Sequence, residues 1–293
     1  MITPHRFSIG PAGAEIAMLQ WGESGKPPAL LVHGTGFVAA VWDEVARELA
    51  STYTVYALDR RGHGASHKPN AYHFLDYAED VCRVIDALGL RDVYGIGHSA
   101  GATDLLLAAR LLPRRFTRLF VMEPTVMDPR AARSDVLNDE SIARVQGTLR
   151  RRAEFESAEA VFERYRTAPA FADWTKASLR AYVRHGFTKL DDGRVRLCCT
   201  PEIESTILRP IYEAMEQVYV GDIRGNPFGL LAELDCPVRV TTAAKSGPIY
   251  KAMAARAVSL IPQVSTLVFQ DAGHCVAQEV PTAVVKAVRE FAE

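Results

Sequence analysis

The stretch Gly95-Ile-Gly-His-Ser-Ala-Gly101 sets a serine between small residues, with a short apolar run before it and an apolar helical pattern after it. The spacing Gly97-x-Ser99-x-Gly101 suits a sharp strand-to-helix turn, because a side chain at either glycine would collide with the neighbouring strand or helix. Such a turn lifts the Ser99 hydroxyl clear of a sheet and sets it at a helix N-terminus, where developing negative charge is favoured. A hydroxyl at its ordinary pKa is a weak nucleophile. It needs a base to take its proton, an acid to orient that base, and N–H donors to hold an oxyanion. The bare pattern recurs by chance in many chains, so its meaning rests on whether those partners exist.

The base is expected at His274, in the loop Asp271-Ala-Gly-His274 that leaves the last apolar strand-like run. His5, His67, His73 and His185 fall on loop or helix surface. His33, His63 and His98 lie in loops before or beside Ser99, where hydrogen bonds to backbone are the usual role. The order serine, acid, histidine along the chain asks for a carboxylate between Ser99 and His274. The loop after the run 237–242 reads Ala243-Ala-Lys-Ser-Gly247, with Gly247 where an aspartate would be expected, and no Asp or Glu occurs between Asp235 and Asp271. Asp271 is too close along the chain to reach the far ring nitrogen of His274. Glu123, at the end of the run after the elbow helix, is the expected acid, because that position lies at the same edge of the sheet, a strand away from Ser99, and lets a carboxylate reach the His274 ring.

Two backbone N–H groups are needed for the oxyanion. Ala100 supplies one. Thr35, after His33-Gly34, is expected to supply the other, with Gly36 or Phe37 as alternatives should the loop bend differently. Gly34, Gly36, Phe37 and His98 are expected to border the substrate. Phe37, Val38 and Trp42 read equally as pocket wall or as core.

These residues need a rigid frame. Apolar, β-branched runs at 28–32, 53–58, 92–96 and 116–122 alternate with helical patterns at 41–50, 74–88 and 102–112, and Gly89 stops the second helix. That alternation is the signature of a mostly parallel sheet covered on both faces. The rhythm breaks over 127–233, which is rich in Arg, Glu, Ala and aromatics, shows helical stretches at 150–166 and 174–185, and has no convincing buried strand. It resumes with a strand at 237–242, a helix at 248–260, a strand at 265–269 and a helix at 282–291. The expected layout is a core of 1–126 and 234–293 with a helical cap or lid of 127–233.

A chain of 293 residues has room for this single core. The formal net charge of -1 provides no field for nucleic acid or an anionic membrane. The first twenty residues lack a basic-then-apolar signal, and no apolar run approaches the roughly 20 residues that span a bilayer. The expectation is a cytoplasmic protein acting on a small molecule, its oligomeric state open. Five cysteines, Cys82, Cys198, Cys199, Cys236 and Cys275, form neither a disulfide framework nor a C-x-x-C zinc pair, so all read as reduced, with Cys275 lining a pocket beside His274. The loop Asp59-Arg-Arg-Gly-His-Gly-Ala-Ser66 is glycine-rich and basic but lacks a phosphate-loop ending, and reads as bracing for the site rim. Arg151, Arg152, Arg164 and Arg166 read as a solvated helix face.

Together the His33-Gly34 loop, the loop 59–66, the elbow 97–101 and Gly273-His274 resemble the α/β-hydrolase superfamily, over both ends of the chain and outside the insertion. The resemblance implies a mostly parallel eight-stranded α/β sheet with an inserted helical cap, and a Ser-His-acid triad needing no metal or organic cofactor. Ser99 in place of an aspartate counts against the haloalkane dehalogenase and epoxide hydrolase branches, and Gly247 departs from the commonest acid position. The implied activity is hydrolysis of a carboxylic ester, lactone or thioester through an acyl-Ser99 intermediate. Carbon–carbon hydrolysis of a diketone, a perhydrolase side activity, and a non-catalytic receptor on the same shell are the competing readings.

Overall fold

Apolar runs that alternate with helical patterns assemble here into a layered fold. The computed structural model describes residues 4–127, 146–216 and 227–293. The first part contains β1 (His5–Ile9), β2 (Ile16–Trp21), β3 (Pro28–Val32), α1 (Asp43–Leu49), β4 (Thr54–Leu58), α2 (Phe74–Ala87), β5 (Val93–His98), α3 (Ala100–Leu111) and β6 (Phe116–Met122). An inserted segment follows, with β7 (Glu154–Phe155), α4 (Ala158–Tyr165), α5 (Lys176–His185), β8 (Phe187–Lys189), β9 (Val195–Leu197) and α6 (Pro201–Glu216). The chain then returns through β10 (Val238–Ala243), α7 (Pro248–Leu260), β11 (Val264–Phe269), α8 (Val276–Glu279) and α9 (Pro281–Ala292).

Eight strands form one sheet in the order β1-β2-β4-β3-β5-β6-β10-β11, antiparallel at β1–β2 and β2–β4 and parallel from β4 onward. Neighbouring residues of a strand point to opposite faces, and both faces are covered. Leu30 and Val32 join α2, α3 and α7 on one side, while Leu31 and Phe120 join α1 and α9 on the other. This double burial is why the parallel strands read as continuous apolar runs. The register pairs His98 with Met122 and Met122 with Thr241, so the residues that follow β5, β6 and β10 emerge at one edge of the sheet.

The insertion differs in one respect from the sequence expectation. It contains a three-stranded antiparallel sheet, β7-β9-β8, whose Phe155, Phe187, Val195 and Leu197 are buried. Strands of two and three residues are too short to show a period, which is why none was legible. The helices expected over 150–166 and 174–185 occur as the shorter α4 and α5, each started by a hydroxyl cap: Ser157 accepts from the Ala160 N–H and Thr175 from the Ser178 N–H. The segment packs on the core through Val161, Tyr182 and Trp174, buried in one cluster with Val38 and Trp42. Residues 128–145 and 217–226 of the expected cap lie outside the described residues. No helix among the described residues is long and apolar enough to cross a membrane.

The loop after β4 is tied to the sheet by internal charge pairs. Arg60 binds Asp104 of α3 through two hydrogen bonds of 2.5 and 3.1 Å, and Arg61 binds Asp80 of α2 at 2.7 and 2.9 Å. Asp59 accepts from the Ala39 and Ala65 N–H groups, and a Cβ on Gly64 would fall 2.0 Å from its Oδ2. The basic loop therefore braces the fold, as its sequence suggested. Removing one member of the Arg60–Asp104 pair leaves a buried charge uncompensated, so Asp104→Ala is expected to cost about 3–5 kcal/mol by urea denaturation. The double substitution Arg60→Met/Asp104→Leu is expected to cost clearly less; equal losses would refute the view that the stranded charge dominates.

Candidate active site

Ser99 caps α3 with φ 53° and ψ −123°, a backbone conformation rarely adopted by a residue with a side chain. The glycines around it are required by contact. A Cβ on Gly97 would lie 2.6 Å from the Ala102 Cα, and one on Gly101 would lie 2.4 Å from the carbonyl oxygens of Val32 and His33. Ser99 N–H donates to the Met122 carbonyl at 2.8 Å, which fastens the turn to β6. Ala100 is the first residue of α3, so its N–H has no acceptor within the helix.

Glu123 follows β6 with φ 47°, and its N–H donates to the Thr241 carbonyl of β10 at 2.9 Å. That turn aims the side chain along the sheet edge. Its Oε2 lies 2.6 Å from Nδ1 of His274. The carboxylate is 0% exposed while the His274 side chain is 22% exposed, so the ring links a sealed acid to an open cavity. The loop that lacks an aspartate serves Glu123 instead: the Ala243 N–H donates to Oε1 at 2.9 Å and the Ser246 hydroxyl to Oε2 at 2.8 Å. Gly247 itself caps α7. With Nδ1–H donating to Glu123, Nε2 is the nitrogen left for the cavity.

Three buried histidines fix the surrounding loops as neutral rings. His63 accepts from the Gly36 N–H at its Nε2 (2.9 Å) and donates from Nδ1 to the Arg61 carbonyl (3.0 Å). His33 accepts from the Arg60 N–H at Nε2 and donates from Nδ1 to the Gly34 carbonyl. His98 donates from Nε2 to the His274 carbonyl at 2.7 Å. Burial pushes His63 and His98 down to about 3, and His33 well below its ordinary value. These contacts sort the oxyanion candidates. The Gly36 N–H is held by His63 and the Phe37 N–H by the Gly34 carbonyl at 3.3 Å, whereas the Thr35 N–H donates to no described residue.

A cavity of about 260 Å³ is lined by Gly34, Thr35, Phe37, His98, Ser99 and His274, among others. Gly36 lines an adjoining cavity of about 560 Å³, and Cys275 lines that same space. Val38 and Trp42 are core, at 3% and 0% exposure. Four further residues escaped the sequence reading. Tyr250 stacks on the His274 ring at 3.7 Å; Glu279 accepts from the Gly273 and Cys275 N–H groups and clamps the loop on both sides of His274; Ser246 holds Glu123; Glu204 lines both cavities. Ser246 stood in the loop searched only for an acid, and the others had no local signal. The solvated face expected for the arginines holds for Arg152, Arg164 and Arg166, which are exposed, and is corrected for Arg151, which is partly buried and pairs with Glu204; Arg151, Arg152 and Arg164 also border the larger cavity. Among the described residues no cluster of three His, Cys, Asp or Glu is placed to hold a metal ion.

Residues 29–287 match the model of the alpha/beta hydrolase family. The chain belongs to that family. It is similar to 2-(acetamidomethylene)succinate hydrolase of Mesorhizobium japonicum, at 27% identity over 92% of this chain and 89% of that protein. Among solved structures it resembles an E-2-(acetamidomethylene)succinate hydrolase, with a TM-score of 0.80 at 23% identity over 99% of each chain. It also resembles a thioesterase domain from the curacin biosynthetic pathway, with a TM-score of 0.76 at 21% identity over 98% of this chain and 99% of that one. At these identities the two structural matches bear on the fold.

The neutral histidines make this family member sensitive to acid. Between about pH 6.5 and 3 the unfolded chain protonates at His98 while the native ring stays neutral, so stability is full above 6.5 and falls as pH drops below it. Each such histidine contributes a slope of about 1.4 kcal/mol per pH unit. Urea denaturation at pH 7, 6 and 5 is expected to show His98→Asn losing stability less steeply than the unsubstituted protein, by about that slope. Parallel curves would contradict the neutral-ring account.

Proposed function

We propose that the protein hydrolyses a small carboxylic acid derivative, an ester, lactone or thioester, through an acyl-Ser99 intermediate. The observation that carries this reading is the Glu123–His274 contact of 2.6 Å beside a cavity shared by His274 and Ser99. His274 Nε2 takes the proton of the Ser99 hydroxyl as its oxygen attacks the carbonyl carbon. The buried Glu123 carboxylate holds the ring in the required tautomer and stabilises the imidazolium that forms. The Thr35 and Ala100 N–H groups hold the oxyanion, and α3 directs its N-terminus at the same charge.

His274 then returns the proton to the departing alcohol or thiol, and a water deprotonated by the same nitrogen attacks the acyl-serine carbonyl. Loss of Ser99 from that carbon restores the starting enzyme and releases the acid. No metal or organic cofactor enters these steps. Gly34 allows the close approach that the acyl group needs: a Cβ there would sit 3.1 Å from both the Ser99 Cβ and the His98 Nδ1. Phe37 stacks beside His98 and against Trp174 and Tyr182, and supplies an apolar wall for the substrate. A relative named as a hydrolase fits acyl transfer from a carbonyl.

Mixing with p-nitrophenyl acetate is expected to release a burst of nitrophenolate equivalent to one per active site, and a fluorophosphonate probe is expected to label Ser99. Ser99→Ala should do neither and should lower kcat by about 10⁴-fold or more. Absence of both burst and labelling in the unsubstituted protein would remove the enzyme reading and leave the receptor reading in its place.

A further inference from the structure

The larger cavity has a charge distribution that the acyl-serine chemistry does not use. It adjoins the catalytic cavity, sharing Thr35, Phe37, Glu204 and Tyr250 as walls. Among the described residues Arg150, Arg151, Arg152 and Arg164 line it, against one carboxylate, Glu204. Arg151 is committed to Glu204, and Arg152 to Glu156 at 2.6 Å with its guanidinium 4.8 Å above the Phe155 ring. Arg150 and Arg164 have no carboxylate partner among the described residues. In a chain of net charge -1, two guanidiniums over one cavity without a carboxylate partner among the described residues are a local concentration and not a reflection of composition. Arg166 shows the contrast: two residues from Arg164 and likewise exposed, it is paired with Glu163 and absent from the cavity wall.

The remaining walls are aromatic, from Phe155, Tyr165, Phe171 and Tyr182. Tyr165 and Phe171 stack at 4.6 Å, and the Tyr182 hydroxyl donates to the Gly36 carbonyl at 3.0 Å, which joins this wall to the loop carrying Thr35. Such walls accept a hydrocarbon spacer, to which a charge-assisted hydrogen bond at the rim adds. Guanidiniums present paired N–H groups that match the two oxygens of a carboxylate or of a phosphate.

We propose that the substrate carries a negatively charged oxyanion group, a carboxylate or a phosphate, at the end remote from its scissile carbonyl, and that Arg150 and Arg164 bind it. As a statement about substrate this rests on the acyl-Ser99 reading; as a statement about an anion site it stands on the cavity alone. The carbonyl sits at Ser99, the spacer passes Phe37 and Tyr250, and the anion reaches the two arginines. Arg151 is a positioning residue here, since its bond to Glu204 holds that carboxylate away from Arg150 and Arg164.

The test separates binding from chemistry. Ser99→Ala protein is titrated by calorimetry with hexanoate, hexyl phosphate and neutral hexanamide. At least one anion is expected to bind about tenfold more tightly than hexanamide, the effect of one charge-assisted hydrogen bond, and the tighter of the two names the oxyanion. The advantage should vanish in Arg150→Gln/Arg164→Gln, fall in either single substitution if the double fails to fold, and persist in Arg166→Gln. No preference for either anion, or a preference that survives the double substitution, overturns the proposal. In the otherwise unsubstituted enzyme, kcat/KM for mono-p-nitrophenyl adipate over that for p-nitrophenyl hexanoate should fall about tenfold on Arg164→Gln. Arginine-dependent anion binding without any burst would retain the site and discard the acyl-Ser99 reading; a burst without anion preference would do the reverse.

Discussion

A single buried carboxylate organises the site. Glu123 has no exposed surface and three donors: the Ala243 N–H, the Ser246 hydroxyl and the His274 ring. A buried carboxyl group is tolerable only when its oxygens are satisfied, and these are satisfied from two other segments of chain. The β6 end supplies the acid, the loop after β10 supplies two donors, and the loop after β11 supplies the ring. The parallel register of β5, β6 and β10 brings their ends to one edge of the sheet, where these segments meet beside Ser99.

Around this contact the fold applies strain and neutrality in particular places. Ser99 and Glu123 both hold positive φ, each locked by a backbone bond to a neighbouring strand. His33 and His63 hold the loop 34–36, and His98 the His274 loop, as neutral rings. Engaging the Gly36 and Phe37 amides elsewhere leaves Thr35 as the open donor of its loop. The insertion contributes differently. It brings aromatic walls and guanidiniums beside the site, the groups proposed to select size and charge, while the sheet edge carries the groups proposed for bond making.

Much of this was legible in the sequence for a physical reason. Strands buried on both faces leave unbroken apolar runs, and glycines forced by 2.4–2.6 Å contacts leave fixed spacings, so the sheet, the elbow and the Gly273-His274 loop were each marked locally. Glu123 was reached through an absence, the lack of any carboxylate between Asp235 and Asp271. What stayed hidden depends on contacts between distant segments. Ser246, Glu279 and Tyr250 acquire their roles only once the loops meet. The strands β7, β8 and β9 are too short to carry a period. The inward pairing of Arg151 with Glu204 was hidden among solvated arginines because charge alone does not tell which side chain turns inward.

The account depends most on Glu123 as the group that orients His274, and turnover of p-nitrophenyl acetate by Glu123→Gln tests it most directly. The amide keeps the shape but lacks the charge that fixes the ring's tautomer and stabilises the imidazolium, so kcat should fall by about 10³–10⁴-fold with KM little changed. Turnover within a few-fold of the unsubstituted protein, with the fold intact by circular dichroism, would contradict it.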